Sequence, residues 1–250
     1  MNDIEFGLKL WSLNYGLIGE AANLVKDGVF DYVELMVVPG TDISVFQKAG
    51  IPFIIHVASE NWGVNIADES KEKSDLKTIK ECLDIADELN AKYLILHPGF
   101  GDFETAKKLL GNINDKRIVI ENMPKVGMGG EPMIGWNPEQ IVDLCQDKFG
   151  FCLDFGHAVK AAASLNKNYR DIIDGFLKLK PAVCHISDGF IQDEKDSHLA
   201  IGDGDYDLKF FLDRVQRDGI EYVTLETPRR NLDSLAEDLG NLRRLKSFPF

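Results

Sequence analysis

The chain has 250 residues, of which 44% are hydrophobic, enough to bury one large core, and it carries a formal charge of -13. That charge argues against a protein that grips nucleic acid through phosphate contacts alone, because such affinity comes from lysine and arginine displacing counterions, and no arginine precedes Arg117. The four cysteines (Cys82, Cys145, Cys152, Cys184) show no CxxC spacing, which excludes a cysteine zinc site and a disulfide framework, and no apolar run approaches the roughly 20 residues that span a bilayer.

The first five residues lack the basic segment and apolar core of a signal peptide, which predicts a cytoplasmic protein. From there short apolar runs alternate with longer amphipathic stretches. Strand 5–10 leads to helix 19–26, strand 32–37 to helix 43–48, and strand 53–56 to helix 73–90. The last of these carries the packing stripe Leu76, Ile79, Leu83 and Ala86. Strand 93–97 precedes helix 103–112, and strand 117–121 precedes helix 138–146, where Asn137 is the N-cap and Pro138 opens the first turn. Strand 151–154 and helix 168–179 follow, then strand 182–185 and helix 208–217, closed by Asp218-Gly219, and finally strand 222–226 and helix 232–246. Eight βα units without a linker or composition break predict one domain over residues 1–250, a closed (β/α)8 TIM barrel of the α/β class.

Six of these strands end in metal-binding side chains. The third ends at His56, the fourth at His97, the fifth at Glu121, the sixth at Asp154 with His157 one turn on, the seventh at His185 and the eighth at Glu226. In such barrels the strand C-termini form one mouth. The fifth histidine, His198, stands two residues after Asp196, a spacing at which both side chains of an extended segment point the same way. Gly202 and Gly204 then turn the chain toward the next helix, capped by Asp205 or Asp207.

Alone, each of these residues reads as a hydrogen-bonded strand end; together, four carboxylates and five histidines in one cavity need cations to offset their repulsion. Imidazole with carboxylate suits zinc, manganese, iron or cobalt. One dication leaves two of the four negative charges uncompensated, two neutralise them, and three reverse the sign, which suits an anionic phosphate. Nine donors are too many for one ion and fit two or three.

The ordered stretches "IIHVASENWGVNIA", "LILHPGF", "IVIENMP", "FCLDFGHAV", "CHISDG", "DSHLAIGDGD" and "TLETP", with "GEPMIGWNPEQI" after the fifth strand, resemble the endonuclease IV family. That family lies within the wider xylose-isomerase-like barrel superfamily, and the likeness runs from about the third strand to the eighth. The resemblance implies a hydrolase of phosphodiesters, abasic-site DNA among them, with a trinuclear zinc site. His56 and His97 would hold one ion with Glu121 as bridge; Asp154, His185, Glu226 and Glu121 the second; His157, Asp196 and His198 the third. Departures concern substrate. Ser59 and Glu60 stand where the family places an aromatic and an apolar residue against DNA, and "VVPGT" after the second strand lacks the family's arginine. Lys125, Lys160, Lys195, Arg229 and Arg230 are the mouth cations, set among at least as many acids.

The second strand, "DYVEL" with Glu34, is more similar to the sugar isomerase and epimerase branch of the superfamily. That likeness implies one manganese or cobalt ion on Glu121, Asp154, His185 and Glu226, with Glu121 and Glu226 as the catalytic acid and base on a small sugar. Trp62 and Trp136 stand in mouth loops under both readings.

Overall fold

The computed structural model describes residues 4–249; residues 1–3 of the stretch read against a signal peptide, and residue 250, lie outside the described residues. Eight parallel strands, β1 (Glu5–Trp11), β2 (Tyr32–Val37), β3 (Phe53–Val57), β4 (Leu94–Leu96), β5 (Ile118–Glu121), β6 (Gly150–Asp154), β7 (Val183–Ile186) and β8 (Tyr222–Leu225), close into a barrel in sequence order, β1 pairing with both β2 and β8. The fold is the expected TIM barrel.

The strands position the site through their period of two. One layer of the barrel interior is apolar: Tyr32, Ile54, Ile95, Val119, Cys152, Val183 and Tyr222 pack together, and Gly7 takes the place on β1 because a Cβ there would lie 2.3 Å from the Tyr32 ring. Two residues further along each strand the same interior face carries Lys9, Glu34, His56, His97, Glu121, Asp154, His185 and Thr224. A polar layer thus rests on a dry floor. Residues that point the other way from the strands join the helices in a separate, larger core.

Around the barrel run α1 (Ile18–Lys26), α2 (Ser44–Gln47), α3 (Glu72–Glu88), α4 (Phe103–Gly111), α5 (Pro138–Cys145), α6 (Phe155–Leu165), α7 (Tyr169–Leu177), α8 (Leu208–Asp218) and α9 (Ala236–Lys246). The caps read from sequence hold: the Asn137 side chain accepts from the Gln140 amide, and Gly219 ends α8 at φ 71°. One helix goes unforeseen. α6 is buried from Phe155 to Ala162, packed against α7 and β7, so its polar residues His157 and Lys160 lie in the interior and no exposed face marks it. Its Phe155 stacks on Phe211 of α8 at 4.7 Å between ring centres, a burial that stabilises by about 1.5–3 kcal/mol per side chain. The last helix starts four residues later than expected, at Ala236, leaving Leu232 exposed in the β8–α9 loop. No helix among the described residues is long and apolar enough to cross a membrane. The four cysteines are free thiols.

Candidate metal centre

Each histidine side chain is oriented by one ring nitrogen so that the other meets the cluster. On β3, His56 Nδ1 donates to the Val57 carbonyl at 2.7 Å and Nε2 lies 3.3 Å from Glu121 Oε2. At the end of β4, His97 Nε2 is 3.2 Å from the same oxygen while Nδ1 meets Glu60 Oε2 at 3.3 Å. His185 turns Nε2 to Glu34 Oε2 at 3.0 Å, leaving Nδ1 between Glu121 Oε1 at 3.3 Å, Glu226 Oε2 at 3.4 Å and Asp154 Oδ2 at 3.8 Å. Carboxylate or carbonyl partners of this kind fix the tautomer and raise the basicity of a metal-binding imidazole.

Local chemistry explains how β6 delivers two groups at once. Asp154 caps α6, its Oδ1 accepting from the His157 amide at 2.6 Å, so the helical turn carries His157 back over the cluster. Asn122, next to Glu121, straps this corner: its side chain donates to the Asp154 carbonyl at 2.9 Å and accepts from the Asp154 amide at 2.8 Å, while its carbonyl accepts from His157 Nδ1 at 2.8 Å.

The β7–α8 loop brings Asp196 and His198 together by a different route from the expected one. The segment is not extended. His198 sits in the left-handed region at φ 41°, and its Nδ1 donates to Asp196 Oδ2 at 2.6 Å. The loop is pinned by buried Asp188, which accepts from the amides of Gly189 at 2.8 Å, Gly202 at 2.8 Å and Tyr206 at 3.2 Å; of the two cap candidates, Asp207 caps α8.

All nine residues singled out in the sequence therefore meet. Donor atoms of His56, His97 and Glu121 lie within 4.8 Å of one another, as do those of Glu121, Asp154, His185 and Glu226, and those of Asp154, His157 and His198. Asp154 takes the place in this third group that the sequence gives to Asp196, whose Oδ2 is engaged by His198 and lies 3.8 Å from His157 Nε2. Of the nine buried side-chain atoms without a hydrogen-bond partner among the described residues, four lie in the cluster's donor groups: Glu121 Oε1, Asp154 Oδ2, His185 Nδ1 and His198 Nε2. Each belongs to one of these groups, and an unsatisfied buried polar atom costs about 1–3 kcal/mol. Shared cations would satisfy all four, so the residues fit the metals they imply.

Lys9 escaped the sequence reading, and Glu34 and Glu60, named there, were not placed among the donors' partners. Lys9 of β1 is ion-paired with Glu34 Oε1 at 2.5 Å and with Glu226 Oε1. Glu34 also accepts from Thr224 Oγ1 at 2.5 Å; burial pushes its carboxyl up, but His185 and Lys9 outweigh burial and hold it down at about 2. Glu60 turns inward to His97 rather than across the mouth, and His97 keeps it ionised against the effect of burial. In the absence of metal, burial pushes the histidines down, and at His56 burial wins, while at His97 and His157 the acids win: Glu121 and Glu60 push His97 up to about 10, and Asp154 with Glu121 pushes His157 up to about 9. Glu121 stays well below the usual carboxylate range despite its burial, held there by His185 and His97.

The mouth cations are committed elsewhere. Arg229 binds Asp238 at 2.8 Å and the Lys9 carbonyl at 2.9 Å, Lys195 donates to the Met128 carbonyl at 2.9 Å, and Lys160 is buried against the Phe190 carbonyl at 2.7 Å. Lys125 lies over Trp136, which is not among the residues lining the cavity, and Arg230 is within 3.8 Å of Asp203. Above the cluster opens a cavity of about 830 Å3, with His97, His157 and His198 on its floor and Trp11, Trp62 and Leu232 among its walls.

Comparison with known proteins agrees with this fold. The family model described as xylose isomerase-like TIM barrel matches residues 43–245. An uncharacterised protein of Methanocaldococcus jannaschii is 26% identical over 249 residues, covering 91% of this chain and 93% of that one. Endonuclease 4 of Thermus thermophilus is 29% identical over 224 residues, 80% of this chain and 76% of that protein. Among solved structures, a D-tagatose 3-epimerase-like protein superposes with a TM-score of 0.73 at 19% identity over 98% of this chain and 97% of its own, a likeness of fold.

Proposed function

We propose, from the premise that the chain belongs to the xylose isomerase-like TIM barrel family, that it is a phosphodiester hydrolase working with three zinc ions. One observation carries this reading. The cluster holds six carboxylates, Glu34, Glu60, Glu121, Asp154, Asp196 and Glu226, against the ammonium of Lys9 ion-paired within it, which leaves five negative charges. With every imidazole neutral, as a metal ligand must be, one dication leaves three of these charges, two leave one, and three turn the site positive by one, the sign an anionic ester needs; imidazoles left without an ion, such as His97 and His157, offset the remainder by holding protons. The sequence-based ledger of four carboxylates lacks Glu34, Glu60 and Lys9; their inclusion adds one negative charge to be offset.

In this reading His56, His97 and Glu121 hold one ion, Glu121, Asp154, His185 and Glu226 a second, and His157, His198 and the Asp154–Asp196 pair a third. When bound, the ions supply Lewis-acid charge toward the phosphoryl oxygens and lower the pKa of water. The chain's own residues orient the donors. Lys9 engages Glu226 Oε1 and leaves Oε2 to face the cluster, Glu34 sets His185, and Glu60 sets His97. Elemental analysis of the purified protein is expected to give about three equivalents of zinc, with zinc-dependent release of nitrophenol from bis(p-nitrophenyl) phosphate. About one equivalent of metal and no ester cleavage would sink the reading.

A second reading has one observation in its favour: Glu121, Asp154, His185 and Glu226 form a complete four-donor group on their own. One manganese or cobalt ion there, with Glu121 and Glu226 as base and acid, gives a sugar isomerase or epimerase. Exchange of the α-proton of a keto sugar with D2O would establish it.

A further inference from the structure

Resting on the phosphoesterase reading, we propose that the substrate is a small phosphodiester bearing an aromatic ring, of mononucleotide size, and that Trp11 and Trp62 determine this specificity.

Size and charge lead to it. A cavity of about 830 Å3 falls within the range that encloses a small molecule. The lysine and arginine side chains that line it among the described residues are Lys9 and Arg229, both paired with carboxylates. Lys9 is paired with Glu34 and Glu226, Arg229 with Asp238, and Lys195 with the Met128 carbonyl. A duplex needs counter-charges along several phosphates, and every such contact would steepen the fall of affinity with salt. The loop that carries Asp196 and His198 also exposes Asp193, Glu194 and Asp203, acids that oppose further phosphate contacts on that side.

The walls favour a ring. Trp11, at the end of β1, is 39% exposed and Trp62, in the loop after β3, is 41% exposed; both line the cavity, with Met36 of the intervening strand between their positions. Large aromatic side chains left half-exposed over a polar floor are suited to stack on a planar group while the ester reaches the donors below. In the reaction the water oxygen bonds to phosphorus and one phosphorus–oxygen ester bond breaks. The departing oxygen keeps the electron pair, and the proton released by water leaves to solvent or to that oxygen.

The test uses the full chain loaded with zinc, with bis(p-nitrophenyl) phosphate and a duplex carrying a tetrahydrofuran abasic site as the two probes. Expected are cleavage of the small diester, no cut or mobility shift of the duplex at low salt, and quenching of tryptophan fluorescence by p-nitrophenyl phosphate. Trp11→Ala and Trp62→Ala should each raise KM on the order of 10-fold while kcat changes by less than about twofold. Trp62→Phe should restore KM, which separates stacking from a folding defect. A duplex that is cut, with affinity falling steeply with salt, overturns the substrate class and leaves the phosphoesterase reading standing. Unchanged KM in both alanine variants overturns the role of the tryptophans. If neither ester is cleaved by protein with its full zinc while a keto sugar exchanges its α-proton, the phosphoesterase reading itself falls.

Discussion

Lys9→Met removes the one ammonium among the buried acids. The lysine side chain is 11% exposed, Glu34 is inaccessible and Glu226 is 12% exposed, so solvent cannot replace the lost charge. Breaking a buried ion pair from one side costs about 3–5 kcal/mol. Glu34 keeps Thr224 and His185 as partners, which places the expected loss in metal-free protein near the lower end, about 3 kcal/mol. For a chain of this size that lowers the midpoint of thermal unfolding by about 6–12 °C. With zinc bound, the ions supply positive charge beside Glu226, and the deficit between variant and parent should shrink. Calorimetry of both proteins with and without zinc measures the four midpoints, and a cycle with Glu34→Gln should show coupling of about 0.5–3 kcal/mol. A metal-free Lys9→Met protein that melts within about 2 °C of the parent, or a deficit that zinc leaves untouched, would refute the reasoning.

Glu60→Ala should weaken binding of one zinc ion by about 10–100-fold in chelator competition, and Glu60→Gln far less, because an amide oxygen still accepts from His97 Nδ1; equal losses would mean that charge, not orientation, matters. In Gly204→Ala the new Cβ would lie 2.3 Å from the Gly189 carbonyl oxygen and 2.4 Å from Asp188 Oδ1. The displaced loop should cost one equivalent of zinc in elemental analysis while the circular dichroism of the barrel is retained, and full zinc content would contradict the pinning role of Asp188. The pH dependence has opposite signs with and without metal. His97 and His157, raised to about 10 and about 9 in metal-free protein, add stability that is fully present below their ordinary 6.5 and is lost as pH climbs through 9–10. Zinc needs the neutral imidazoles, so the zinc-induced rise in melting temperature should grow between pH 7 and 9; a flat rise over that range would count against these two ligands.

The barrel and six of the nine candidate donors are legible in sequence because both depend on strand ends, and strand ends are marked by an apolar run turning polar; His157, Asp196 and His198 were read from their spacing and from the likeness to a known family. Lys9 was equally reachable. It stands two residues beyond Gly7, and Glu34, noted only for its likeness to the isomerase branch, stands two beyond Tyr32, both on the same interior face as His56 and Glu121 but inside apolar runs and not at their ends. A count by twos along aligned strands puts both in the polar layer; a search for polar termini does not. α6 was lost because it follows β6 without a break, Asp154 ending the strand and capping the helix. Glu60 resembled a surface residue of a mouth loop until tertiary contact turned it toward His97. The commitment of Arg229 to Asp238 likewise depends on where α9 begins, which no local signal fixes.

The two chemistries open to this family divide along the same geometry. Five of the nine donors, His56, His97, Glu121, Asp154 and His185, belong to the interior layer that any strand register of this barrel presents. With Glu226 just beyond β8 they already complete a one-ion site. His157, Asp196 and His198 lie beyond the strand ends and require a capped helix and a long loop held in place by three hydrogen bonds to Asp188. That loop also keeps His198 at φ 41°, a conformation that costs a non-glycine residue on the order of 1 kcal/mol or more. A sugar isomerase on the inner four donors has no use for such strain, because His198 is not among them. The strain is accounted for if the imidazole must reach Glu226, Asp196 and His157 together, and that is the position from which it serves a further ion.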